Sequence, residues 1–128
     1  MKDRIILQKI DNYLQRIDTA YHRIKDMDDA TLLETETSYA LTQYLTNVHS
    51  LFQNLTNDEV SGKLFGCGIR SLNTCRNISA HDYDALDWIK VKQLCRRLLS
   101  PQTATVIAEC YEIIAQDEAR EIDYTKNS

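Results

Sequence analysis

Residues 3–27 read DRIILQKIDNYLQRIDTAYHRIKDM, and their apolar pattern decides the fold class. Ile6, Ile10, Tyr13, Leu14, Ile17, Tyr21 and Ile24 recur at spacings of three and four. That is the period of one face of an α-helix, not the alternation of a strand. A first helix is therefore expected from about Asp3 to Met27, with Lys9, Gln15, Arg16, Arg23 and Lys25 on its opposite face. A helix with so long an apolar stripe needs other elements to cover it. Three glycines and one proline in 128 residues leave little room for the turns of a β-protein, so the covering elements should be helices.

Working outward, the acidic run Asp26, Asp28 and Asp29 breaks the first stripe and suits a loop or a helix cap. Residues Ala30 to Thr37 read as a single helical turn followed by a loop. A second helix follows from about Ser38 to Leu55, striped by Leu41, Tyr44, Leu45, Val48, Phe52 and Leu55. Thr56-Asn57-Asp58-Glu59 has the form of a capping box, with Thr56 as cap and Glu59 returning to its amide. A third helix is expected from there to about Ser79. It contains Gly62, Gly66 and Gly68, each costing about 1 kcal/mol relative to alanine in a helix interior. Their spacing has no Lys-Ser/Thr behind it, so it is not a phosphate loop. Close approach of another helix, in this chain or a partner, or else a break in the helix, would explain them.

A fourth helix is expected to start with Asp84 as cap and Asp87 in its first turn, burying Trp88, Val91, Leu94, Cys95 and Leu98. Ser100-Pro101 ends it and caps a fifth, striped by Val106, Ile107, Cys110, Tyr111 and Ile114 and ending near Asp117 to Arg120. The expected architecture is an all-α, up-and-down bundle of about five helices over residues 1–122. Residues 123–128 read as a polar, frayed tail.

Net charge is −4, which argues against indiscriminate coating of nucleic acid. The charge is uneven. Gly62 to Leu99 carries seven basic residues (Lys63, Arg70, Arg76, Lys90, Lys92, Arg96, Arg97) against Asp82, Asp84 and Asp87, leaving the remainder strongly acidic. Such a segment suits a phosphate-handling surface, or simply a solvated helix face. Cys67, Cys75, Cys95 and Cys110 form no C-x-x-C pair and no histidine stands at zinc-finger distance, so free thiols, no metal and no cofactor are expected. His22 reads as a rim residue and His49 as one at the core edge. No apolar run approaches a membrane span and the N-terminus lacks a signal-peptide pattern, so a cytoplasmic location is expected.

One stretch concentrates chemistry: Arg76-Asn77-Ile78-Ser79-Ala80-His81-Asp82-Tyr83. On a continuous helix Arg76 and His81 would stand roughly 140° apart. Either the helix ends before His81, or the arginine that works with a given His81 comes from a second subunit. An arginine offers a permanent planar charge for phosphate oxygens, and a histidine titrates near neutrality and moves protons either way. Together they suffice to cleave RNA through its own 2′-hydroxyl, without metal or protein nucleophile. A structural corner between helices would account for the pair equally well.

The order Arg, four residues, His, one residue, Tyr resembles the signature of the HEPN ribonucleases, specifically their HepT-like toxin branch, and Asn77 follows the arginine as it often does there. The resemblance implies a homodimer in which Arg76 and His81 are catalytic, with Asn77 supporting them. It implies an RNA substrate and a cognate minimal nucleotidyltransferase antitoxin, a type VII toxin–antitoxin pair, in which AMP is attached to Tyr83. Asp82, between the histidine and the tyrosine, departs from the commonest pattern, and its carboxylate would put negative charge beside the phosphate site. A non-catalytic HEPN module that binds a nucleotide or substrate for such a partner is the second reading, and a helical interaction domain with a purely structural motif is the third.

Overall fold

The computed structural model describes residues 2–67 and 87–127. Among them it contains six helices and no strand: α1 (Lys2–Ile24), α2 (Asp29–Glu34), α3 (Glu36–Gln53), α4 (Asp58–Phe65), α5 (Trp88–Leu98) and α6 (Pro101–Asn127). The fold is an all-α helical bundle.

The stripe of α1 is the centre of that bundle. Leu7, Ile10, Ile17 and Ile24 are fully buried, and Ile6, Leu14 and Tyr21 nearly so. The helix packs chiefly against α3, and also against α5 and α6, while α4 packs against α6. Leu41, Leu45 and Val48 of α3, Val60 and Leu64 of α4, and Cys95 and Leu98 of α5 join one continuous core with Ile107, Cys110 and Ile114 of α6. Each fully buried aliphatic side chain contributes about 1.5–3 kcal/mol relative to exposure, so this core is what holds the bundle together.

Helix starts follow local chemistry. Asp28 caps α2, its carboxylate accepting the Thr31 N–H at 2.8 Å. Those hydrogen bonds, with Lys92 nearby, hold its carboxyl below the ordinary range. Ser100 accepts the Thr103 N–H at 3.4 Å ahead of Pro101, the first residue of α6. Three expectations change. The cap of α4 is Asn57, which accepts the Val60 N–H at 3.0 Å, not Thr56. Thr56 is instead drawn to α1, where Asp3 accepts its N–H and its hydroxyl, both at 3.0 Å. The cap of α5 is Asp87, accepting from Ile89 at 3.1 Å and Lys90 at 3.3 Å, so this helix starts later than expected. Finally, α6 does not stop near Arg120 but continues through Asn127, taking residues 123–127 into the helix.

The glycines also read differently. A Cβ at Gly62 would meet nothing within 4 Å, and one at Gly66 only the Lys63 carbonyl at 3.5 Å. No described helix approaches either residue closely. Gly66 is the C-cap at which α4 ends, which is the break in the helix expected above as the alternative to close helix approach. Gly68 lies outside the described residues.

Candidate functional site

Arg76, Asn77, His81 and Tyr83 lie outside the described residues, together with Arg70, Cys75, Asp82 and Asp84. The structure describes what frames them. On one side α4 ends at Gly66, whose carbonyl accepts from Arg97 Nη2 at 2.9 Å. Cys67 follows, buried, its N–H bonded to the Leu64 carbonyl at 2.9 Å. On the other side Asp87 caps α5 and the next residue, Trp88, is buried. Both anchors therefore belong to α5: Arg97 near its C-terminus holds Gly66, and its N-terminus begins at Asp87. With 11 residues in α5, they stand roughly 15 Å apart along it.

The cations of this part of the chain are largely engaged in that frame. Lys63 pairs with Glu109 at 3.0 Å. Lys92 donates to the Met27 carbonyl at 2.8 Å and Arg96 to the Tyr21 hydroxyl at 3.4 Å. Lys92 and Arg97 thus place positive charge on carbonyls just beyond the C-terminal ends of α1 and α4, where the helix dipole favours it. Among the described residues these side chains do more than decorate a solvated face: they tie α5 to α1 and α4. Beside them, Lys63, Cys67, Arg97, Ser100, Thr103 and Val106 line a cleft of about 470 Å³ at the point where α4 ends.

The other residues singled out in the sequence fall into place. His22 is exposed and pairs with Asp18 at 3.1 Å, whereas His49 is buried on α3. Cys67, Cys95 and Cys110 are buried, and no disulfide joins them to one another. Burial, followed by the neighbouring Cys67, pushes the Cys110 thiol up to about 11, so it is protonated and unreactive at neutral pH. No group of His, Cys, Asp and Glu among the described residues is placed to hold a metal ion. No described helix is long and apolar enough to cross a membrane.

Two further clefts escaped the reading of the sequence. At the start of α1, Asp3, Asn57, Asp58, Asp117, Glu118 and Glu121 line an acidic cleft of about 470 Å³. Its groups are engaged with one another. Asp3 also accepts the Asn57 N–H at 2.8 Å, Asn57 Nδ2 donates to Asp117, and Arg4 pairs with Glu118 at 2.8 Å. Burial pushes the Asp3 carboxyl up, but the three hydrogen bonds from Thr56 and Asn57 outweigh it and leave the group below its ordinary value. The second cleft lies between α1 and α3 and is lined by Lys9, Asn12, Tyr13, Arg16, Asn47 and Asn54. A usable signal existed: Lys9 and Arg16, like Asn47 and Asn54, stand seven residues apart, two helical turns on one face.

Comparison with known proteins finds no counterpart: no family model, no curated protein and no solved structure matches this chain.

Proposed function

We propose that this protein is a metal-independent endoribonuclease, the toxin of a type VII pair with a minimal nucleotidyltransferase antitoxin. The observation that carries the reading is the order Arg76-Asn77-x-x-x-His81-x-Tyr83 within a chain of 128 residues whose described part is an all-α bundle. The motif stands between α4 and α5, two helices tied to each other by Arg97. The HEPN-like assignment, the homodimer and the cytoplasmic location belong to the same proposal.

In this mechanism the 2′-hydroxyl of RNA attacks the adjacent phosphorus. The O2′–P bond forms and the P–O5′ bond breaks. His81 takes the 2′-hydroxyl proton and returns a proton to the departing 5′-oxygen. Arg76 binds the non-bridging oxygens and stabilises the charge that grows on the phosphorane. Asn77 orients one of the two. Attachment of AMP to Tyr83 would place a phosphate and a purine where the RNA phosphate binds, occupying Arg76 and repelling substrate. The net charge of −4 favours the second reading, a non-catalytic HEPN module that binds a nucleotide or substrate for its partner.

Induced expression tests the proposal. Wild type should arrest growth, and His81→Ala should relieve the arrest while its circular dichroism and melting stay as in wild type. Co-expression with the nucleotidyltransferase should add adenylyl mass to Tyr83 and relieve the arrest, and Tyr83→Phe should escape that silencing. Arrest by His81→Ala equal to wild type would overturn the catalytic reading. A His81→Ala chain that no longer folds would make the histidine a structural corner.

A further inference from the structure

The groove between α1 and α3 has the chemistry of a site with no occupant in the fold itself. Its volume is about 420 Å³, and none of the described residues lining it carries a carboxylate. That is unexpected in a chain with 19 acidic and 15 basic residues. The cause is a sorting of charge around α1. Asp11 and Asp18 line a separate cleft, facing the junction of α5 and α6, while Lys9 and Arg16 line the groove against α3.

These two cations differ from those that tie the bundle. Arg4 and Lys63 each pair with a carboxylate, whereas among the described residues neither Lys9 nor Arg16 does. Both are exposed. Arg16 is nevertheless positioned. Its guanidinium lies 5.4 Å from the centre of the Tyr13 ring, a cation–π distance. Tyr13 is fixed in turn by Tyr44, with ring centres 6.0 Å apart, and by Asn47 Nδ2, which donates to its hydroxyl at 3.2 Å. A half-buried aromatic anchor thus holds a planar guanidinium on an open surface.

Lys9 and Arg16 lie on one face of α1, about 10 Å apart along its axis. Between and opposite them stand the side-chain amides of Asn12, Asn47 and Asn54. Nδ2 of Asn47 donates to the Tyr13 hydroxyl and Nδ2 of Asn54 to the Ser50 carbonyl at 3.0 Å, which holds these two amides in place and leaves their oxygens as acceptors. Two separated positive charges suit a ligand with repeated phosphates better than a single ion. Amides and a guanidinium plane suit base edges and base faces. The absence of a competing carboxylate leaves that attraction uncancelled.

We propose that this groove binds the phosphodiester backbone of single-stranded RNA, with Lys9 and Arg16 on phosphates and the asparagines on adjoining sugar or base edges. The choice of RNA rests on the ribonuclease reading above; the cationic groove itself depends on neither Arg76 nor His81. It would act as a docking track that raises the residence time of a strand on the protein.

Fluorescence anisotropy of the full chain with a labelled 2′-O-methyl oligonucleotide, titrated over a salt series, tests this, because such a strand cannot be cut through its 2′-oxygen. Lys9→Ala/Arg16→Ala should weaken binding by about tenfold at low salt. It should also flatten the slope of log affinity against log salt by about 1.4, at roughly 0.7 per single-strand phosphate contact. Arg16→Lys should keep most of the slope, and Arg120→Ala on α6 should change nothing. Unchanged affinity and slope in the double variant would overturn the proposal. So would displacement of the strand by inorganic phosphate or ATP with no dependence on strand length, which would make the groove a small-anion site. A wild type that binds through Lys9 and Arg16 but cuts no RNA would defeat the ribonuclease reading and leave the groove standing. RNA cleavage by wild type with binding indifferent to both cations would do the reverse.

Discussion

Two of the clefts that α1 lines, similar in size, are built on opposite terms. At the start of the helix, Asp3 takes three hydrogen bonds from Thr56 and Asn57, Asn57 reaches Asp117, and Arg4 pairs with Glu118. Two turns further along, Lys9 and Arg16 face α3 with no carboxylate beside them. The first cleft is a latch that joins α1, the α3–α4 junction and α6. The second keeps its charge available to solvent and to ligands. Polar density alone therefore does not distinguish the two clefts; what differs is whether their cations are paired with carboxylates of the fold.

The comparison breaks most visibly at Asp3. Asp3→Ala leaves the Thr56 and Asn57 amides without their acceptor, and hydrogen bonds to a charged group are each worth about 1.5–3 kcal/mol. The variant should lose about 2–3 kcal/mol in urea denaturation, with Lys9→Ala/Arg16→Ala as reference. A loss under 0.5 kcal/mol would mean the latch is ornamental. The pH dependence has a definite sign. The folded state holds the Asp3 carboxyl below its ordinary value of 3.8. Its contribution is thus complete above the unfolded value and is lost as pH falls through the lower folded one. The stability gap between wild type and Asp3→Ala should be constant near neutrality and close below about pH 4.

Asn57→Ala should have the next largest effect. It removes the α4 cap and the partner of Asp117 together, a cost of about 1–2 kcal/mol. Thr56→Val keeps the backbone bond to Asp3 and loses only the hydroxyl, so it should cost less than Asn57→Ala. The opposite order, measured by chemical denaturation, would restore Thr56 as the cap. Smallest of all, Lys9→Ala/Arg16→Ala should change stability by less than about 0.5 kcal/mol, as exposed substitutions usually do. A larger loss would show that these cations are structural after all, and would erase the contrast between the clefts.

These cases show where the sequence was legible. The period of α1 named Ile6, Ile10, Leu14, Ile17 and Ile24, and all are buried. Asp28 and Ser100 acted as caps because their partners lie three residues away. Thr56 was misread for the opposite reason. Its local pattern is a sound capping box, but a carboxylate 53 residues earlier takes its N–H and hydroxyl. Nothing in a local window carries that information. Asp84 was expected as the cap with Asp87 in the first turn, yet Asp87 caps α5. The groove went unread because the seven-residue spacing of Lys9 and Arg16 also fits ordinary solvated positions, and only α3 laid beside them makes it a cleft. The expected catalytic residues, Arg76 and His81, rest on the motif and the resemblance it carries.

The decisive chemistry is therefore at those two residues. The measurement is cleavage of a defined RNA in the presence of chelator, with the product ends identified by mass, for wild type, Arg76→Ala and His81→Ala. Metal-free cleavage leaving 2′,3′-cyclic phosphate and 5′-hydroxyl ends is expected, with the rate falling about 10²- to 10⁴-fold in each variant. Cleavage that stops with chelator and returns with magnesium, or that proceeds at the wild-type rate in His81→Ala, would contradict this expectation.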